Sequence, residues 1–306
     1  MEETDQHTLL MGLWEDIKAT FRKGNSLTRL IYINIGLFLL ISVIGIIGYL
    51  LVNPEISDQT IRFLSVPSSM NTLLYRPWTL FTYMFTHREL LHILVNMLWL
   101  YWFGMIFLEY FDQKKLVAVY ILGGLAGAIT YVASYNIFPA FATVVEDSIP
   151  LLGASASVMA IVIAIAAYVP DYTVTLFLFG RIKIKYIAIV IFILTSVLDF
   201  SVNSGGKLAH IGGALFGYLF TVSYRQGHDI SRWFNRFIDR IVTLFKPSKK
   251  MKVTYKKTRD DLEYNRIKVQ HQEQINKILD KISKGGYDSL TKEEKDMLFR
   301  ESQNRK

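Results

Sequence analysis

Cysteine is absent from all 306 residues, which excludes a disulfide scaffold, a thiolate nucleophile and cysteine-held metal chemistry. Charge is nearly absent from most of the chain as well. Residues 30–223 hold only 9 Lys and Arg against 9 Asp and Glu in 194 positions, where a soluble domain would be about a quarter charged. So low a charge is unusual for a soluble domain, and 51% hydrophobic residues overall excludes disorder. The N-terminus lacks the basic start and prompt apolar core of a cleaved signal peptide, being acidic and polar before Leu9.

The charge that is present is concentrated at one end. Residues 224–306 carry 21 Lys and Arg against 12 Asp and Glu, while residues 1–29 carry 4 against 5, so the net +8 belongs to the C-terminal tail. This is the composition of a membrane domain with a basic tail, and no nucleic-acid partner is expected.

A bilayer core of about 30 Å needs roughly 20 apolar helical residues. Six windows meet that length approximately: 28–51, 89–111, 116–135, 150–169, 184–200 and 206–224. Lys18, Arg22, Lys23 and Arg29 precede the first, Lys114 and Lys115 lie between the second and third, and Arg181 and Lys183 lie between the fourth and fifth. The connection after the third has no Lys or Arg before Pro150. By the positive-inside rule the basic connections and the tail share the cytoplasmic side, with both termini there.

Beyond the sixth window, residues 229–246 place Ile230, Trp233, Phe234, Phe237, Ile238, Ile241 and Phe245 at helical spacing, with Arg232, Arg236 and Arg240 on another face. This predicts an amphipathic helix on the anionic inner leaflet. A basic linker follows, then two short helices around Lys284–Tyr287, the second opened by a Thr291/Glu294 capping box. They carry no catalytic pattern and read as a hairpin for a cytoplasmic partner.

Polar residues inside apolar spans are costly and are functional candidates for that reason. His92 and Asn96 are four apart and share one helical face, with His87 in the loop before them. Ser155 lies in the run Gly153-Ala154-Ser155-Ala156-Ser157, and His210 lies near the start of the sixth window. Counting helical rise from the outer end of each window puts His92 at roughly 6 Å depth, Ser155 at roughly 7 Å and His210 at roughly 5 Å. Three windows thus bring polar groups to one level in the outer leaflet.

That set suffices for acyl transfer. A serine hydroxyl needs a base, and His210 can take its proton. The Ser155 N–H, the Asn96 amide and a neutral His92 ring can face a developing oxyanion, helped by the dipole of the helix that Ser155 opens. The nearest acid in depth is Asp199, at the outer end of the fifth window, so the expected unit is a Ser155/His210 dyad. Simple packing competes for part of the pattern: Gly153 with Ser157, and Gly213 with Gly217, are small residues at helix-contact spacing. Ser157 is the rival hydroxyl, about 200° around the helix from Ser155. Two other classes compete as well, a silent binder of membrane helices and a transporter using His87, His92 and His210 as metal ligands.

These residues resemble the rhomboid family of intramembrane serine proteases, over roughly residues 28–224. The resemblance rests on His92 with Asn96 and the upstream His87, on Gly153-Ala154-Ser155-Ala156, and on Ala209, His210, Gly213 and Gly217 in the same order. It departs from the family in having Ala156 after the serine and Met159 one turn on. It implies Ser155 as nucleophile, His210 as base, His92 and Asn96 as oxyanion donors, and Gly153, Gly213 and Gly217 as structural support of the site, with no cofactor or metal. The implied fold is an all-α membrane protein, a six-transmembrane-helix rhomboid-like bundle (28–224) between a cytoplasmic segment (1–27) and a basic cytoplasmic helical tail (225–306). Implied partners are single-span transmembrane substrates, entering laterally, and the lipid bilayer. The expected location is the bacterial inner (plasma) membrane. Trp78, Phe81, Tyr83 and Phe85 read as an aromatic element in the outer interface.

Overall fold

A computed structural model describes residues 24–142, 150–176, 180–245 and 259–304. The N-terminal basic cluster Lys18, Arg22 and Lys23, and the linker 246–257, lie outside the described residues. The chain divides into two compact units, 1–246 and 247–306.

Each apolar window forms a helix. Asn25 caps the first, its side chain accepting from the Thr28 N–H, and α1 runs Ser26–Leu50. The outer connection folds into α2 (Glu55–Leu64), α3 (Met70–Tyr75), α4 (Thr79–Thr82) and a 3-10 turn at Tyr83–Phe85. Then come α5 (Leu90–Tyr110), α6 (Gln113–Ile137), α7 (Ser155–Tyr168), α8 (Ile184–Ser196) and α9 (Ser204–Arg225). Helices α1, α5 and α6 are long and apolar enough to cross a membrane; α7 and α8 are shorter, at 14 and 13 residues.

The fourth window differs from its expected start. Leu151 exchanges both backbone hydrogen bonds with Val66, at 3.0 and 2.9 Å, and this bridge holds the chain extended after Pro150. Helix α7 begins only at Ser155. The depth counted along a helix from Pro150 is thereby corrected, since an extended chain advances about twice as far per residue.

Between α7 and α8 lies a feature that an all-α expectation lacks. Strand β1 (Thr173–Leu176) pairs antiparallel with β2 (Gly180–Lys183), and Asp171 bridges Lys183 and Lys185 at its base. The fold is mostly helical with one two-stranded hairpin.

Helix α7 is buried around its whole circumference from Ala156 to Val162, the mark of a central core helix. Small residues let its neighbours reach it. A β-carbon at Gly124 of α6 would meet the Ser157 hydroxyl at 2.5 Å, and at Gly127 the Ala156 methyl at 2.6 Å. A β-carbon at Gly213 or Gly217 of α9 would overlap the carbonyl oxygens of Ala156 and Ala160. The outer faces of α1 and α5 remain apolar and exposed, as at Leu39, Leu40, Leu91 and Leu94.

The amphipathic helix α10 (Arg232–Phe245) lies within the first unit. Phe234 is buried against Ala118 and Leu122 of α6, and Asp239 bridges Lys114 at 2.8 Å. Trp233 and Phe237 stay exposed. The helix is thus docked on the bundle by one face while keeping an apolar edge open.

In the second unit α11 (Arg259–Gly285) is a long helix of 27 residues rather than a short one. A turn at Tyr287–Ser289 leads to α12 (Lys292–Asn304). The capping box forms as read: the Thr291 N–H donates to Glu294 at 2.9 Å and the Glu294 N–H to the Thr291 hydroxyl at 3.3 Å. Ile275, Ile278 and Leu290 are buried.

Candidate active site

The site is built around the five residues that lead into α7. Gly153 has φ +109°, a conformation that side chains with a β-carbon rarely adopt, and a β-carbon there would meet His92 Cε1 at 2.8 Å. The preceding turn clasps this strand from the other side. The Gly153 N–H donates to the Tyr83 carbonyl at 2.9 Å, and the Ala154 N–H donates to His87 Nε2 at 3.3 Å.

Ser155 is the first residue of α7 and is half-buried. The N–H groups of a first helical turn have no partner inside the helix, so donors and the positive end of the dipole surround this hydroxyl. Ser157 differs sharply. It is 0% exposed, and its hydroxyl makes no hydrogen bond.

His210 stands one turn before Gly213, on the part of α9 that touches Ala156. Its ring is half-buried, and Nδ1 lies 3.1 Å from the Thr195 carbonyl at the end of α8. A carbonyl only accepts, so Nδ1 carries the proton and Nε2 keeps its lone pair. Among the described residues the Ser155 hydroxyl is not hydrogen-bonded to the His210 ring.

His92 is half-buried beside Gly153, and Asn96 is buried one turn further along α5. The Asn96 amide donates to the His92 carbonyl at 3.0 Å and faces His87 Nε2 at 3.5 Å. His87 is fully buried, with its ring 5.3 Å from that of His92 and its Nδ1 3.4 Å from the Phe85 carbonyl. Among the described residues no three His, Cys, Asp or Glu side chains are grouped as metal ligands would be.

The aromatic outer element divides in two. Trp78 and Phe81 are exposed, with the Trp78 indole donating to the Phe63 carbonyl at 2.9 Å. Tyr83, read as interfacial, is instead fully buried, its hydroxyl 2.5 Å from the Gly124 carbonyl. Phe85 is half-buried against Tyr120.

A second buried tie escaped the sequence reading. Asn34, a lone amide in α1, is 0% exposed and donates to Tyr120 Oη at 3.1 Å, and Tyr120 in turn donates to the Met84 carbonyl at 2.9 Å. The Tyr83–His87 turn is therefore anchored to α6 through both Tyr83 and Tyr120.

The family model for the rhomboid domain matches residues 75–227, half of the chain, and a family of unknown function (DUF6576) matches residues 258–304. The mouse (Mus musculus) presenilin-associated rhomboid-like protein, mitochondrial, is 30% identical over 196 residues, covering 60% of this chain and 46% of that protein. The Homo sapiens protein of the same name is 28% identical over 196 residues, covering 60% and 45%, and the Bos taurus one 29% over 195, covering 60% and 46%. The chain spans about half the length of the curated relatives it matches. With half its length matched by the rhomboid domain, the chain belongs to the rhomboid family.

Proposed function

We propose that the protein is an intramembrane serine endopeptidase that cuts single-span membrane proteins within or near the outer leaflet. The observation that carries this reading is that the two helices in tight contact, α7 and α9, carry respectively a half-buried serine at the helix N-terminus and a histidine whose Nδ1 is engaged by a backbone carbonyl. His210 Nε2 takes the Ser155 proton as Oγ attacks the scissile carbonyl carbon. The resulting oxyanion faces the Ser155 N–H and His92. Asn96 joins them by giving up one of its two present contacts. His210 then protonates the leaving amine, and a water activated by the same ring hydrolyses the acyl-enzyme. A substrate helix must unwind locally first, because its carbonyls are otherwise hydrogen-bonded within the helix.

Six crossings suit this reading although α7 and α8 are short. Helix α7 is enclosed by its neighbours, so it need not meet lipid along its length, and the extended residues before it supply further reach. Helix α10, bridged to Lys114, then lies on the side opposite the site. The curated relatives are mitochondrial by name, so the expected bacterial plasma membrane finds no support among them. The proposal is confined to a multi-pass membrane protein.

A catalytically silent binder of membrane helices is the second reading, and the missing Ser155–His210 hydrogen bond is what favours it. Such bonds are often long in unliganded enzymes and tighten with substrate. The deciding experiment is labelling of the purified protein by a fluorophosphonate, alongside cleavage of a single-span reporter. Wild type should do both, and Ser155→Ala and His210→Ala neither. Cleavage that survives Ser155→Ala would sink the protease assignment, and an unlabelled wild type that still retains the reporter selects the binder.

A further inference from the structure

The far end of α8 has little apolar anchorage. In its last turn and beyond, Ile193, Leu194, Val197 and Leu198 are all exposed, and Ser196 alone is buried. The described contacts that tie this end to α9 are polar. The Thr195 carbonyl meets His210 Nδ1, and the Lys207 ammonium donates to the carbonyls of Leu198 and Asp199.

Lys207 and His210 are three apart on α9 and therefore lie on one face. His210 uses a carbonyl of the last turn of α8, which has no intrahelical partner, and Lys207 uses two carbonyls just beyond that helix, of which the Asp199 one also accepts from the Val202 N–H at 2.8 Å. The chain turns back at Asp199, whose φ is +47°, so the two carbonyls held by Lys207 sit where α8 gives way to the connection into α9. A lysine at such a terminus is suited to this, since its three donors can serve two acceptors at once.

We propose that Lys207 is a positioning residue for the reaction: by tying the Leu198 and Asp199 carbonyls to α9, it holds the Thr195 carbonyl against His210 Nδ1. The inference rests on the reading of Ser155 as nucleophile and His210 as base. The Thr195 carbonyl thereby fills the orienting place that a carboxylate occupies in a Ser-His-Asp triad. Without it the ring is free to rotate or to move its proton to Nε2, and a ring protonated at Nε2 alone cannot accept from Ser155. The position of α8 and the competence of the base become one variable.

The test uses the full chain in detergent and follows the rate of Ser155 labelling by a small fluorophosphonate across pH, since such a probe needs no wide entry between helices. Lys207→Met should lower the plateau rate about tenfold, and Lys207→Arg, which keeps donors for both carbonyls, should restore most of it. A plateau unchanged in Lys207→Met overturns the proposal. So does a profile in which only the midpoint moves, because that would be a through-space effect of the ammonium on the His210 ring. A wild type that does not label at Ser155 overturns the serine-hydrolase reading itself, and this one with it.

Discussion

Gly213 of α9 lies so close to the Ala156 carbonyl of α7 that no β-carbon fits between them. One turn on, Gly217 repeats the relationship with the Ala160 carbonyl. Backbone atoms cannot yield as a flexible side chain does, so a methyl group at either position must part the helices or bend them. Overpacking of this kind costs about 1–3 kcal/mol. Gly213→Ala should therefore lower stability by that order in a denaturation series and slow Ser155 labelling more than Gly217→Ala, which lies further from the site. Wild-type stability together with wild-type labelling in Gly213→Ala would show that the contact does not place Ser155.

The two serines of the Gly153–Ser157 run separate by environment. Ser157 carries a buried hydroxyl with no hydrogen-bond partner, packed against Gly124 as Met84 is, whereas Ser155 is half-buried. An unsatisfied buried hydroxyl contributes nothing and costs desolvation. Ser157→Ala should leave labelling and cleavage intact and hold or raise stability, while Ser155→Ala should remove both activities without unfolding the protein. If Ser157→Ala abolishes labelling, the nucleophile has been misassigned.

Much of this site was legible in the sequence because a polar residue in an apolar run is conspicuous. His92 with Asn96, Ser155 and His210 each lie in apolar or small-residue runs, Ser155 with Ser157 as its rival, and helical spacing was enough to align the first pair. The parts that were not legible are of other kinds. The Thr195 carbonyl is backbone and leaves no mark in a sequence. Tyr83 and Tyr120 read as aromatics, yet each acts through its hydroxyl on a backbone carbonyl. Asn34 was a polar residue in an apolar window and could have been found by the same rule that found Asn96. The start of α7 was misplaced because apolar residues at 150–154 suit an extended bridge as well as a helix, and only Val66, far away in sequence, decides between them.

Tyr83 offers a direct measure of how the clasp on Gly153 is held. Its hydroxyl is fully buried and donates to the Gly124 carbonyl at 2.5 Å, while its own carbonyl receives the Gly153 N–H. Tyr83→Phe removes the first bond and leaves the second available. The expected loss is about 1–3 kcal/mol of stability, with labelling slowed by less than it is in Gly153→Ala, where a β-carbon would enter the His92 ring. A Tyr83→Phe protein as stable as wild type would mean that the hydroxyl bond is not what anchors the turn.

His87, in the turn ahead of α5, is fully buried and faces two donors at Nε2, the Ala154 N–H and the Asn96 amide. Its other nitrogen points to the Phe85 carbonyl. Only the neutral ring with the proton on Nδ1 satisfies all three. Burial, and after it the nearby His92, hold its pKa down to about 4 from 6.5. Between those values the unfolded chain binds a proton that the folded chain refuses, so unfolding takes up protons and stability rises with pH. The contribution is complete above about pH 6.5 and is lost as pH falls toward 4, where the folded ring protonates as well. Over that window the loss is on the order of 3 kcal/mol. His87→Gln still offers an acceptor to the Ala154 N–H and cannot titrate. The stability of wild type relative to His87→Gln should therefore fall as pH is lowered from 6.5 to 4, and taking the difference cancels the titration of histidines that do not touch His87. A difference that stays flat across the window would place His87 outside the clasp on Ala154.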